Sequence, residues 1–202
     1  MAENQVTSGS RPCACESGSI PSEKEMNRAL ADRCGDRLAG AFSRAVVAIC
    51  GLGGLGSNIA VSLVRAGVGR LILIDFDKVD MTNLNRQQYK ADQIGMDKTE
   101  ALSANLREIN PYVSLTAHDL RLTAENAALL LEQADIICEA FDDPAQKAML
   151  ANTVLERLPS AYLVAASGMA GIASANDIKT RRISERFYLC GDGVSDSAEK
   201  PG

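Results

Sequence analysis

The feature that most constrains this chain is an apolar run, Ala45–Cys50 (AVVAIC), that leads directly into Gly51-Leu52-Gly53-Gly54-Leu55-Gly56. A continuous run of small and β-branched residues reads as a strand buried on both faces, the pattern of a parallel sheet. Ser57–Ala66 then shows helical spacing through Ile59, Leu63 and Val64, with Gly67 placed as a left-handed cap. Leu71–Asp75 (LILID) is a second buried strand. Strand, glycine turn, helix and strand make a βαβ unit, whose crossover is right-handed almost without exception. The turn is a G-x-G-x-x-G with one extra glycine. Such glycines permit a tight bend and let phosphate oxygens approach main-chain N–H groups at a helix N-terminus. Gly51, Gly53, Gly54 and Gly56 are therefore expected to bind a nucleotide.

The alternation continues to the C-terminal third. Helices are predicted at Asp97–Asn110, with Asp97 and Glu100 as a capping box and Pro111 as the stop, and at Ala124–Gln133, capped by Thr123. A further helix is predicted at Pro144–Arg157, with Asp143 as cap. Strands are predicted at Val113–His118, Asp135–Phe141 and Ala161–Ser167, and shorter, antiparallel ones at Gly171–Ile178 and Arg186–Leu189. Helical segments broken near Gly35 occupy Ser22 to about Ser43. The expected fold class is α/β, Rossmann-like, with a mostly parallel sheet, helices on both faces, and short antiparallel strands toward the C-terminus. Residues 1–20, polar and nearly free of apolar side chains, read as a disordered lead-in to one domain over 21–202.

Composition narrows the chemistry. A net charge of −5 with interleaved signs argues against a dedicated nucleic-acid binder, so phosphate must be held by a few placed cations. No apolar run is long enough to span a bilayer and the first twenty residues lack an apolar core, so a cytoplasmic protein without a membrane is expected. The six cysteines (13, 15, 34, 50, 138 and 190) form no CxxC pair, so no zinc is expected. Cys50 and Cys138 lie in apolar runs and read as core filling. Cys190, in a polar stretch, retains scope for reactivity.

Asp75 ends the second strand, where an acid can accept ribose hydroxyls. That would equally suit a nicotinamide-dependent oxidoreductase. The residues that follow, Asp75-Phe76-Asp77-Lys78-Val79-Asp80-Met81-Thr82-Asn83-Leu84-Asn85-Arg86-Gln87-Gln88, point elsewhere. Amides and a guanidinium just past a strand's carboxyl end suit a triphosphate, with Asp77, Thr82, Asn83 and Asn85 as contacts and Arg86 forking onto phosphate oxygens. Lys98, in the first turn of a helix, opposes the macrodipole, which hints at a role beyond helix stability, namely the neutralisation of phosphate. Asp142, after the strand ending at Phe141, can hold Mg²⁺ against the phosphates. Asp143 can share that role but is the natural cap of the next helix, and Glu139 is left open between site and edge. The one histidine, His118, reads as a surface residue, and no Ser–His pair or metal triad appears. The basic residues Lys179, Arg181, Arg182 and Arg186 read most simply as a solvated edge strand.

GLGGLGSN, AGVGRLILIDFDKVDMTNLNRQQY and GMDKTEAL…NP together resemble the ThiF/MoeB/HesA group of ubiquitin-activating-like adenylyltransferases. CEAFDDPAQKAML and YLVAASGMAG are similar to its short ThiF type. The resemblance implies binding of ATP and Mg²⁺ and adenylation of the C-terminal Gly carboxylate of a small ubiquitin-like sulfur-carrier protein ending in Gly-Gly, with release of pyrophosphate, in thiamine thiazole biosynthesis. It places the family's phosphate-loop glycine on Gly54, its ribose acid on Asp75 and its Asn and Arg on Asn83 and Arg86. Its phosphate lysine falls on Lys98 and its magnesium aspartate on Asp142. A homodimer is implied, with an arginine lent to the partner's site; Arg33, Arg37 and Arg44 are candidates. Sibling activities at the same site are activation of a molybdopterin-type carrier and dehydration of a modified tRNA base.

Overall fold

The computed structural model describes residues 18–168 and 174–194. Nearly all of the predicted lead-in, and residues 171–173 of one predicted strand, lie outside them. Seven strands form one sheet in the order β3-β2-β1-β4-β5-β7-β6. They are β1 (Val46–Cys50), β2 (Arg70–Asp75), β3 (Ser114–Asp119), β4 (Ile136–Glu139), β5 (Tyr162–Ala166), β6 (Lys179–Arg182) and β7 (Phe187–Gly191). All pairings are parallel except β6 with β7. The helices are α1 (Glu23–Cys34), α2 (Asp36–Arg44), α3 (Gly54–Ala66), α4 (Lys98–Ile109), α5 (Ala127–Leu131) and α6 (Pro144–Arg157).

The strands that read as continuous apolar runs are the central ones. In β1 and β2, Ala48, Ile49, Cys50, Leu71 and Leu73 are fully buried, because helices cover both faces of the sheet. One face packs Ile49, Leu71 and Leu73 against Ala60 and Val64 of α3 and Leu102 and Leu106 of α4. The other packs Ala48, Ile72 and Ile137 against Leu131 of α5 and Leu150 and Val154 of α6. Cys50 and Cys138 are core filling, one in each cluster. The chain direction of connection reverses between β1 and β4, which opens a crevice at their carboxyl ends.

Several local expectations are corrected. Helix α3 starts at Gly54 rather than Ser57, so half of the glycine motif lies inside the helix. Asp97 is the N-cap residue of α4, but its side chain caps nothing, because its carboxylate is drawn to Lys78. The predicted capping box therefore does not form. Helix α5 is shortened to five residues; Asn126 rather than Thr123 precedes it, and its side-chain oxygen accepts the Thr123 N–H at 2.8 Å. Ala175–Asp177, predicted as strand, is a 3₁₀ turn capped by Ser174, and the antiparallel strand is the basic segment Lys179–Arg182. Its exposed side chains make it the solvated edge expected of that cluster.

Candidate functional site

A cavity of about 480 Å³ occupies the crevice at the carboxyl ends of β1, β2 and β4. Its walls include Gly51, Gly53, Gly54, Asp75, Asp77, Asn83, Arg86, Lys98, Asp142 and Asp143. Ten of the residues expected at a nucleotide site thus meet in one place, although they come from sequence positions 51 to 143. Gly56, Thr82 and Asn85 do not line it.

The floor is the glycine turn. Gly51 has φ +92°, and a Cβ there would sit 2.8 Å from the Ala140 carbonyl oxygen, so both conformation and the adjoining β4 loop demand glycine. Gly56 serves packing instead: a Cβ would lie 1.8 Å from the Gly51 carbonyl oxygen, where the helix closes on the strand. The first α-helical bond runs from the Ser57 N–H to the Gly53 carbonyl at 3.0 Å. The N–H groups of Gly54, Leu55 and Gly56 precede it and are the orphan donors that make a helix N-terminus an anion site.

Asp75 is 8% exposed and works first as a clamp on this turn. One carboxylate oxygen accepts the Leu52 N–H at 2.6 Å and the other accepts the Asp77 N–H at 2.8 Å. The Tyr89 hydroxyl donates to the Leu52 carbonyl at 2.8 Å, so the backbone groups of Leu52 are held from two sides. Burial first, then the charges of Asp75 and Asp77, raises the Tyr89 phenol far above its usual range and keeps it a donor. Tyr89 closes the quoted segment but no role could be read for it, because its partner is 37 residues away in sequence. Each Asp75 oxygen keeps a lone pair for a ribose hydroxyl.

The Asp80–Gln88 segment is tied to the helix by side chains of the same turn. Asn58 donates its amide to the Gly54 carbonyl at 2.6 Å and the Arg86 carbonyl at 3.0 Å. The Ser57 hydroxyl donates to the Gly53 carbonyl and accepts the Gln88 N–H. Thr82 and Asn85 therefore have a different place from the one expected: Arg86 donates to the Thr82 carbonyl at 3.0 Å and to the Asn85 side-chain oxygen at 2.9 Å. They aim the guanidinium, which lies against Gly54. Asn83 lines the cavity while its side-chain oxygen accepts the Asp80 N–H.

Lys98 is not the exposed lysine of a bland surface helix. Its side chain is 7% exposed, and its ammonium donates to Asp77 at 2.8 Å. The Lys98 N–H also donates to the Asp77 carbonyl. An ammonium has three N–H donors, so two remain for a ligand in the cavity.

The rim beyond β4 differs. The Asp142 carboxylate is exposed at the cavity and makes no hydrogen bond or ion pair among the described residues. Asp143 caps α6, accepting the Ala145 N–H at 2.9 Å, while also reaching the wall. Glu139 belongs to neither rim nor edge: it is 3% exposed, paired with Lys147 at 3.0 Å, and accepts the Phe141 N–H at 2.7 Å. That pair fixes the loop carrying Asp142. Magnesium takes one or two protein carboxylates and completes its shell with phosphate and water, so a lone, unengaged Asp142 fits the ion in company with a phosphate chain. No group of three or more potential metal ligands occurs among the described residues.

Three more wall residues were assigned no role by sequence: Arg121 lay outside every motif, and Phe76 and Gln87 stood unassigned inside the quoted segment. Arg121 stacks its guanidinium 4.4 Å over the Phe76 ring, forming one side of the cavity. Gln87 contributes a side-chain oxygen that is buried without any hydrogen-bond partner, which costs about 1–3 kcal/mol while it stays unmet.

Comparison with known proteins identifies the family. The adenylyltransferase and sulfurtransferase MOCS3 of Aedes aegypti is 37% identical over 110 residues, 54% of this chain and 25% of that protein. Ubiquitin-like modifier-activating enzyme 5 of Arabidopsis thaliana is 48% identical over 77 residues, 38% of this chain and 18% of that one. The matched stretch thus spans about a quarter or less of those relatives' length. Among solved structures, the Escherichia coli tRNA N6-threonylcarbamoyladenosine dehydratase TcdA in complex with ATP superposes with a TM-score of 0.73 at 29% identity, covering 83% of this chain and 70% of that one. The glycine turn, the acid-and-amide segment and the basic and acidic rim all lie inside the residues, 26–188, that match the ThiF family profile, and the chain belongs to the ThiF family.

Proposed function

We propose that this chain binds ATP with Mg²⁺ and adenylates the C-terminal Gly carboxylate of a small ubiquitin-like sulfur carrier ending in Gly-Gly, of the kind that serves thiamine thiazole synthesis. The observation that carries the reading is the convergence of free helix N–H groups, Arg86, Lys98 and an unengaged Asp142 on one cavity. Relatives described as an adenylyltransferase and a ubiquitin-like modifier-activating enzyme support it, as does a structural neighbour in complex with ATP.

In this reading Asp75 takes the ribose and the glycine turn takes the phosphates. A carboxylate oxygen of the carrier forms a bond to the α-phosphorus as the bond to the β-phosphate's bridging oxygen breaks, and pyrophosphate leaves. Both reactants are anions, so the protein has to position them and offset charge rather than supply a base. Arg86 and Lys98 do this on one side of the phosphates. A Mg²⁺ held by Asp142 would neutralise charge on the other.

The test is ATP–pyrophosphate exchange with and without a carrier ending in Gly-Gly. Exchange that depends on the carrier is the expected result; exchange absent with every carrier offered would remove the reading. A second reading, ATP-dependent dehydration of a modified tRNA base, is supported by the likeness to TcdA over most of this chain. ATP turnover dependent on tRNA carrying the modified base, and indifferent to carrier, would select it.

A further inference from the structure

We infer that Glu139 and Lys147 are positioning residues for Asp142. As a buried pair they clasp the ends of β4 and β5, and so hold the Asp142 carboxylate in register with the glycine turn. The inference rests on the ATP reading above and adds to it two residues that touch neither nucleotide nor metal.

Neither residue has a group to spare for a ligand. The Glu139 side chain is 1% exposed, and one of its oxygens accepts the Phe141 N–H at 2.7 Å. The Lys147 ammonium donates to both oxygens at 3.0 Å, and the Ala166 N–H donates to the second at 3.5 Å. The third ammonium donor goes to the Ala166 carbonyl at 3.1 Å. A carboxylate has about four acceptor sites and an ammonium three donors, so the pair is saturated, and Glu139 is no second metal ligand. Nor does stability call for charge here, since apolar residues of similar volume often replace a buried ion pair at no cost. What the pair supplies, and an apolar pair cannot, is directed bonds to the backbone at two strand ends.

Those bonds bear on Asp142 through Phe141. The Asp142 side chain makes no hydrogen bond or ion pair among the described residues, so its place is set by the chain on either side. On one side Asp143 is fixed as the cap of α6; on the other the Phe141 N–H is fixed on Glu139. Phe141 also stands against the phosphate turn: a Cβ on Gly51 would lie 3.1 Å from its ring. The Ala140 N–H donates to the Cys50 carbonyl at 2.9 Å, on the strand that leads into that turn. Glu139 is thus tied between the glycine turn and the Asp142 loop, and Lys147, from α6, locks it against β5. With the tie cut, Asp142 keeps its chemistry and loses its register with the phosphates. Groups that orient a metal ligand from behind typically govern about ten- to a hundredfold of metal affinity.

The experiment is calorimetric titration of the full chain with ATP, in Mg²⁺ and in EDTA, as wild type, Glu139→Leu and Glu139→Gln. Glu139→Leu keeps the bulk and cuts the tie; Glu139→Gln keeps an acceptor for the Phe141 N–H and removes the charge. Both leave no charge buried, because the Lys147 side chain is 28% exposed and can turn to water. Should Glu139→Leu not fold, Glu139→Ala repeats the test. The factor by which Mg²⁺ strengthens ATP binding is expected to fall about tenfold in Glu139→Leu and to stay within about threefold in Glu139→Gln, with metal-free ATP affinity within about twofold in both. A factor unchanged in Glu139→Leu, or a wild type whose ATP binding ignores Mg²⁺, would overturn the inference and leave ATP binding standing. Equal loss in both variants would overturn it too, because that is the mark of the charge rather than the tie. So would a loss as large without metal as with it, the mark of a residue that only shapes the wall. A wild-type chain that binds no ATP would remove both readings.

Discussion

The two halves of the cavity rim are built on opposite terms. On the β1–β2 side the functional groups are engaged before any ligand arrives: Asp75 accepts two backbone N–H groups, Lys98 is paired with Asp77, and Arg86 is held by Thr82 and Asn85. On the β4 side Asp142 stands exposed and unengaged, on a loop fixed beneath by the buried Glu139–Lys147 pair. The first half is preorganised, so its residues serve stability and chemistry together. The second presents one group whose partner comes with the nucleotide. Loss of a buried group on the first side, such as Asp75, should therefore cost folding as well as reaction, whereas loss of an exposed group on either side should cost only reaction.

The largest effect is expected at the open side. Asp142→Ala should abolish carrier-dependent ATP–pyrophosphate exchange and leave the urea midpoint unchanged, since no protein contact is lost. Instability in this variant would break the contrast between the two halves. Arg86→Ala should cut exchange at least about a hundredfold, roughly 3 kcal/mol of transition-state stabilisation. Here too the urea midpoint should barely move, because the guanidinium's bonds are exposed. Asp75→Ala is the opposite case. It leaves the Leu52 and Asp77 N–H groups without acceptors, and urea unfolding should show a loss of about 2 kcal/mol. ATP affinity should fall with it, as the turn loosens.

The smallest effect sharpens the view of what lies under the open loop. Burial first, then the nearby Cys190, pushes the Cys138 thiol up to about 11. Unfolded, the thiol ionises in the ordinary range; folded, it keeps its proton. The folded state then binds more protons, so stability falls as pH rises. The contribution is whole below about pH 8.5 and lost as pH passes 11, roughly 2–3 kcal/mol in all. Cys138→Ala should flatten the slope of urea stability against pH over that window. An unchanged slope would mean that β4 is more open to water than a fixed support for the Asp142 loop allows.

How much of this was legible in the sequence depended on the range of the interaction. The buried strands of β1 and β2 were plain because continuous apolar runs of β-branched residues have few other uses. The wall residues Gly51, Asp75, Asn83, Arg86, Lys98 and Asp142 were legible because parallel strands bring their carboxyl ends to one edge, so position after a strand gives position in space. What sequence did not disclose was division of labour. Thr82 and Asn85 read as ligand contacts, yet they position Arg86. Asp97 read as a cap until Lys78, brought alongside by a bridge between the two residues, took its carboxylate. Glu139 could not be assigned because its partner, Lys147, is set by how α6 lies on the sheet. Tyr89 holds the turn from 37 residues away. Those pairings follow from tertiary packing, which no local pattern encodes.

The claim on which all of this depends is that a triphosphate chain lies between the two halves of the rim. The direct measurement is a crystal structure of the chain with ATP and Mg²⁺. Phosphate oxygens are expected within about 3.2 Å of the Gly54 N–H, the Arg86 guanidinium and the Lys98 ammonium, with the metal on Asp142. Phosphates directed away from the glycine turn, with Arg86 and Asp142 untouched by nucleotide or metal, would contradict it.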